Sequence, residues 1–190
     1  MGLTVVVLLI AGFGGWLSGG RGRGIRGHQL RSPGLVLAAA TVLFCEPLVA
    51  SSVRHAYPTA VLMAAVLMLQ FGKDNLDVPG VALATLGLLL NAVVVVANGS
   101  MPVEQSAAYR AGVGLGSISA HADHRHFLAD TDTWLRPLDD RVAVPLPGHR
   151  EVDSLGDVAI AAGVGLCLFT ALRRRRGVFD PAAPWVLQQA

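Results

Sequence analysis

The residues of this chain best suited to chemistry are a few carboxylates and histidines at the edges of apolar segments. Asp140, in Leu138-Asp139-Asp140-Arg141, and Asp157, in Ser154-Leu155-Gly156-Asp157-Val158-Ala159-Ile160, stand on either side of the entry into the last apolar run. Two carboxyl groups a few ångströms apart cannot both ionise, so one keeps a proton as general acid while the other activates water, which suits hydrolysis of an amide. Asp157, in the first turn of a helix, would be the more acidic partner, and Asp140 the proton holder. A plainer reading stands beside this one. Ser154-x-x-Asp157 is a capping box, and Asp139, Asp140 and Arg141 are equally at home in a solvated turn.

Glu46 lies well inside an apolar run, next to Pro47. An ionisable group in hydrocarbon is costly and marks a pairing or functional role. Counted from the starts of their segments, Glu46 and Asn91 fall at equal depth, which predicts an intramembrane polar pair: a protonated Glu46 clamped on Asn91, with a proton relay as the sharper alternative. His121, Asp123, His124 and His126 have metal-ligand side chains, and His121 and His124 would share a helix face. No Cys accompanies them, so a solvated loop is expected there, with zinc as the alternative and no cofactor expected elsewhere.

These groups need elements to position them. From Ser154 the apolar run continues to Leu172 and stops at Arg173 to Arg176. At 1.5 Å per residue that is roughly 28 Å, about the hydrocarbon thickness of a bilayer. Hydrophobic residues make up 53% of the chain and charged ones 15%, with a mean hydropathy of +0.53, which places it outside the soluble average. The expected fold is all-α: an integral membrane bundle of about five transmembrane helices with one long extracytoplasmic loop. The spans are about 2–17, 34–53, 58–72, 79–97 and 154–172. The loop is 98–153, the single transmembrane domain covers 1–176, and 177–190 is a cytoplasmic tail. Pro79 is expected to open the fourth span. Gly156, Ala159, Gly163 and Cys167 form a small-residue stripe suited to close packing inside the bundle.

Arg21, Arg23, Arg26 and Arg31, then Lys73, then the four terminal arginines fall in the segments that an N-out, C-in order places in the cytoplasm. Basic residue follows the first apolar stretch and does not precede it, the reverse of a secretory signal. The localisation expected is therefore a multi-pass cell membrane protein. Its partners would be the lipid bilayer and a membrane protein or a second copy. Nucleic acid is excluded, because the net charge of +2 is small and the basic blocks lack interleaved aromatics. Cys45 and Cys167 lie inside apolar segments, badly placed for a disulfide. Asn98-Gly99-Ser100-Met101-Pro102-Val103 is a turn signal leading to Pro102 near the start of a short helix that would end before Gly112.

Taken together, Asn91, the Asn98 to Val103 turn, the Leu138 to Pro147 segment and Ser154 to Ile160 resemble the small bacterial membrane proteins of domain of unknown function 5317. That likeness implies a multi-span membrane protein and brings no activity with it. The last helix alone is similar to the Phe-Asn-x-Ala-Asp-x-x-Ile-x-x-Gly run of lipoprotein signal peptidases, aspartyl enzymes of the inner membrane. Asp157, Ile160 and Gly163 match, while Ser154 stands where the Asn would be and Gly156 where the Ala would be. Asp140 is the nearest counterpart of that family's second Asp. Two functions follow: a non-enzymatic structural or partner-binding membrane protein, favoured by base rate, and a membrane aspartyl hydrolase using Asp140 and Asp157 at the extracytoplasmic face.

Overall fold

Runs of Leu, Val and Ala become helices because a helix satisfies every backbone N–H and C=O within its own segment. The computed structural model describes residues 2–17, 30–50, 52–53, 55–119, 124–146 and 148–172. Four apolar helices come first: α1 (Gly2–Leu17), α2 (Gly34–Ala50), α3 (Ala56–Asp74) and α4 (Val81–Asn98). A mixed region follows, with β1 (Met101–Val103), α5 (Gln105–Ala111), α6 (Leu115–Ser119), β2 (His126–Leu128), a 3-10 turn (Arg136–Leu138), β3 (Val142–Leu146) and β4 (His149–Asp153). The last helix, α7 (Leu155–Leu172), is apolar again.

Helices α3, α4 and α7 are long and apolar enough to cross a membrane, whereas α1 and α2 are apolar but shorter, at 16 and 17 residues. Large side chains such as Leu9, Phe13 and Trp16 on α1, Phe44 and Leu48 on α2, and Leu62, Met63 and Val66 on α3 are exposed. An apolar outer surface of this kind is stable against hydrocarbon and not against water. Within the bundle, α1 packs on α7, α7 on α4, α4 on α3 and α3 on α2. The last of the described helices is thus interior to the row.

Glycines set the close approach of α4 and α7. A Cβ on Gly163 would meet the backbone N of Ala84 and the carbonyl of Gly80, and one on Gly87 would meet the carbonyl of Gly156. Two members of the small-residue stripe, Gly156 and Gly163, therefore lie in this seam, and Cys167 Sγ adds a hydrogen bond of 3.0 Å to the Pro79 carbonyl. The same contact corrects the expected start of the fourth helix. Gly80 adopts φ 94 and abuts Gly163, so the helix begins at Val81 and not at Pro79.

The stretch 98–153 is not one long loop, and the chain is mostly helical without being all-α. Here β1 and β2 pair in parallel, with Met101 opposite His126 and Val103 opposite Leu128, while β3 and β4 form an antiparallel hairpin. Val103, Ala108 and Ile118 make a small core, covered by Val113, Leu115, Leu128 and Val152. Helix α5 ends before Gly112, which takes φ 72. Pro102, however, sits in β1 instead of opening a helix, and its carbonyl accepts the N–H of Asp140 at 2.9 Å. The unit is fastened to the end of α4 by Asn98, whose side chain donates to the Trp134 carbonyl at 3.0 Å and accepts the Trp134 N–H at 2.9 Å. Gly99, at φ 83, turns the chain there. The expected tail, the four terminal arginines and Arg21, Arg23 and Arg26 lie outside the described residues.

Candidate functional site

Asp157 is fixed by the start of α7. Ser154 Oγ accepts the Asp157 N–H at 2.9 Å, and Asp157 Oδ2 accepts the Ser154 N–H at 3.0 Å, the reciprocal bonds of a capping box. Asn91 reaches across from α4 and donates Nδ2–H to Asp157 Oδ1 at 2.9 Å. The Ser154 hydroxyl stands 2.8 Å from both Asn91 Oδ1 and Asp157 Oδ2, so its one hydrogen serves both. Asn91 of α4, Asp157 of α7 and Ser154 just before α7 thus form a closed polar knot at the end of the α4–α7 seam.

Asp140 arrives from the outer unit. Its backbone is held on β1, through its N–H on Pro102 and its carbonyl accepting the Glu104 N–H at 2.8 Å. The residue is only 3% exposed, and its Oδ1 has no hydrogen-bond partner among the described residues. His126 Nε2 lies 3.8 Å from Oδ2. Burial, reinforced by the negative charges of Asp157, Asp153 and Asp139, pushes the Asp140 carboxyl up to about 9, so it holds its proton at neutral pH. Asp153, at the end of β4, is pushed up to about 6 by burial and then by Glu151 and Asp157. Asp139 is fully buried and receives Arg141 Nε at 2.7 Å.

Two cavities meet at this point. The outer one, of about 440 Å³, is lined by Val113, Ser117 and Ile118 on one side and by Arg150 to Asp153 on the other. The inner one, of about 350 Å³, lies among the helices, against Leu43, Val61, Ala64, Leu88 and Ile160. His126, Asp140 and Asp157 belong to both linings. An acid that keeps its proton, a second carboxyl group and a water-accessible space are the parts an acid pair needs.

The expected pairing of Glu46 with Asn91 is corrected. Asn91 is bonded to Ser154 and Asp157, and Glu46 accepts hydrogen bonds from Arg125, at 2.7 and 3.2 Å, and lies 2.7 Å from His124 Nε2. Equal depth was not enough, because α3 stands between α2 and α4 in the row. Glu46 thus pairs with Arg125 and not with Asn91, and the Arg125 guanidinium also lies 5.6 Å over the Tyr57 ring. The pair is asymmetric: the Glu46 side chain is 1% exposed and that of Arg125 38%. Removing Arg125 leaves the buried Glu46 with His124 in place of two partners, whereas removing the acid leaves a guanidinium that water can reach. Arg125→Ala should therefore cost more, on the order of 3 kcal/mol, than Glu46→Gln. Thermal unfolding of the two variants in one detergent, compared with the unsubstituted chain, checks the order.

The histidines part company. His121 lies outside the described residues, His124 is on Glu46, and His126 faces Asp140. Among the described residues no three His, Cys, Asp or Glu side chains group as a metal site would require. Both cysteines are free. Sequence reasoning missed Asp153 and Arg125. Asp153 immediately precedes the capping Ser154, a neighbourhood that could have flagged it, but nothing in the order of residues links Arg125 to a helix some eighty positions earlier.

No curated protein and no solved structure matches this chain. A family model does match it over residues 24–169, a range that takes in Glu46, Asn91, the Asn98 to Val103 turn, Asp140 and Asp157. The chain belongs to that family, the family of unknown function DUF5317.

Proposed function

We propose that this chain is a five-span membrane protein whose outer unit and helix ends form an aspartyl hydrolase site. Helices α1 and α2 count as spans because they pack on α7 and α3 and turn apolar side chains outward, with local thinning of the bilayer accommodating their length. The positive-inside rule puts the outer unit on the extracytoplasmic face and the Arg-rich ends in the cytoplasm. In the reaction, Asp157 takes a proton from water as the oxygen attacks an amide carbonyl, and Asp140 gives its proton to the departing nitrogen. Asn91 and Ser154 hold Asp157 in place.

The observation that carries this reading is the placement of Asp140 and Asp157 in the lining of both cavities where those cavities meet. The capping box accounts for Asp157 as a structural residue. It does not account for Asp140, because burying an acid with a bare oxygen costs stability and contributes nothing to a helix cap.

An apolar carbodiimide, which reacts with protonated carboxyl groups in apolar surroundings, tests the pair without a known substrate. Mass spectrometry should find Asp140 labelled at pH 7 to 8, with labelling declining as the pH passes about 9. Asp157→Asn removes a neighbouring negative charge, so the decline should move to lower pH. Labelling that disappears near pH 4, the range of an ordinary carboxyl group, or that ignores Asp157→Asn, would sink the acid pair.

A further inference from the structure

The outer cavity takes side chains from both faces of β4: Arg150 and Val152 from one face, Glu151 and Asp153 from the other. A strand shows both its faces to one cleft along its edge. No residue of β3 belongs to that lining, so the edge in question is the one away from β3. The hairpin register identifies the backbone groups found there. Leu146 and His149 pair across a two-residue connection in which Gly148 takes φ 76. Residues flanking so short a turn face each other through their hydrogen-bonding groups, and the pattern alternates from there. The N–H and C=O groups of Arg150 and Val152 consequently point away from β3. Pro145, opposite Arg150, fits this register, since its missing N–H falls where the ladder needs no donor. Among the described residues, neither Arg150 nor Val152 has a backbone hydrogen bond outside the hairpin.

This edge leads to the acids. After Val152 the chain passes through Asp153 and Ser154 into the first turn of α7, which carries Asp157. Across the cleft, Val113 and Ile118 offer an apolar wall on the side where Val152 packs.

We propose that the outer cavity is a peptide cleft, in which an extended polypeptide adds as a third strand on β4 through the backbone of Arg150 and Val152. Main-chain bonds supply the affinity, and alternate side chains of the bound strand meet Val113 and Ile118, so apolar residues are favoured at every second position. The proposal rests on the hydrolase reading for the fate of the bound peptide bond, but not for binding.

The probe is a degenerate pool of end-capped decapeptides, with a second pool of the same sequences N-methylated at every amide. The full chain is held in lipid nanodiscs, and amide hydrogen exchange is read at Arg150 and Val152. The plain pool should slow exchange at both residues by roughly tenfold or more, and the methylated pool should not. Unchanged exchange, or equal slowing by both pools, overturns strand addition. Cleavage of the plain pool is measured in parallel on the same protein. Cleavage without protection of the edge refutes strand addition and leaves the hydrolase standing; protection without cleavage does the reverse.

Discussion

Asp140→Asn and Asp157→Asn should each lower peptide hydrolysis by on the order of 10³-fold or more, with normal accumulation of the protein in the membrane. Each change keeps the size and shape of the side chain and removes one half of the proton transfer, leaving the other half without its counterpart. Ser154→Ala separates this outcome from a purely structural one. Ser154 is fully buried and bonded to both Asn91 and Asp157, so its loss should cost roughly 0.5 to 2 kcal/mol of stability. Because Ser154 only positions Asp157, its loss should lower turnover per folded molecule far less than either Asp substitution does. If capping were the whole role of Asp157, the order would invert: Ser154→Ala would be the most damaging change and Asp140→Asn would be silent. A quenched fluorogenic peptide pool, with rates normalised to folded protein, decides between the two.

The second large effect is on stability against pH. Asp140 has an ordinary value of 3.8 and stands at about 9 in the folded chain. Below 3.8 both states hold the proton and nothing is lost. As the pH rises towards 9, the unfolded chain releases a proton that the folded chain keeps, so stability falls throughout that window and levels off above it. One such proton is worth up to about 1.4 kcal/mol per pH unit. Asp153 acts with the same sign, but its window closes at about 6. Of these two acids, Asp140 alone contributes to the slope between pH 6 and 9. Asp140→Asn should give a thermal midpoint that falls less steeply across that interval than that of the unsubstituted chain, and a higher one at pH 8. Parallel curves for the two proteins would show that Asp140 is not held protonated.

The parts of this structure that were legible in the sequence are those whose partners lie three or four residues away or at a helix boundary. The Ser154 and Asp157 capping box is such a case, as is the end of α5 before Gly112. The glycine seam was legible as a stripe, though not as a contact with α4. The Glu46 partnership was not legible, and the reason is physical. A helix that is apolar all round carries no stripe pointing to its neighbour, so the order of helices in the row cannot be read from their periodicity. The hairpin was missed for a related reason. In Val142 to Leu146 and His149 to Asp153 the alternation is short, and Pro145 argues against a strand until its edge-facing register is known. Asp140 was legible as a candidate, but its protonation depends on burial beneath a unit whose short strands and helices carry no long periodic pattern.

The position of α7 between α1 and α4 has a consequence for biogenesis. Of the described helices α7 comes last in the chain, and it is the one on which α1 packs, across some 140 residues of intervening chain. Until α7 is made, α1 lacks its main contact among the described elements, the glycine face of α4 is uncovered, and Asp140 lacks the nearby charge of Asp157. The α1–α7 and α4–α7 contacts therefore form only after α7 has been made, and Asp140 and Asp157 come together no earlier than that.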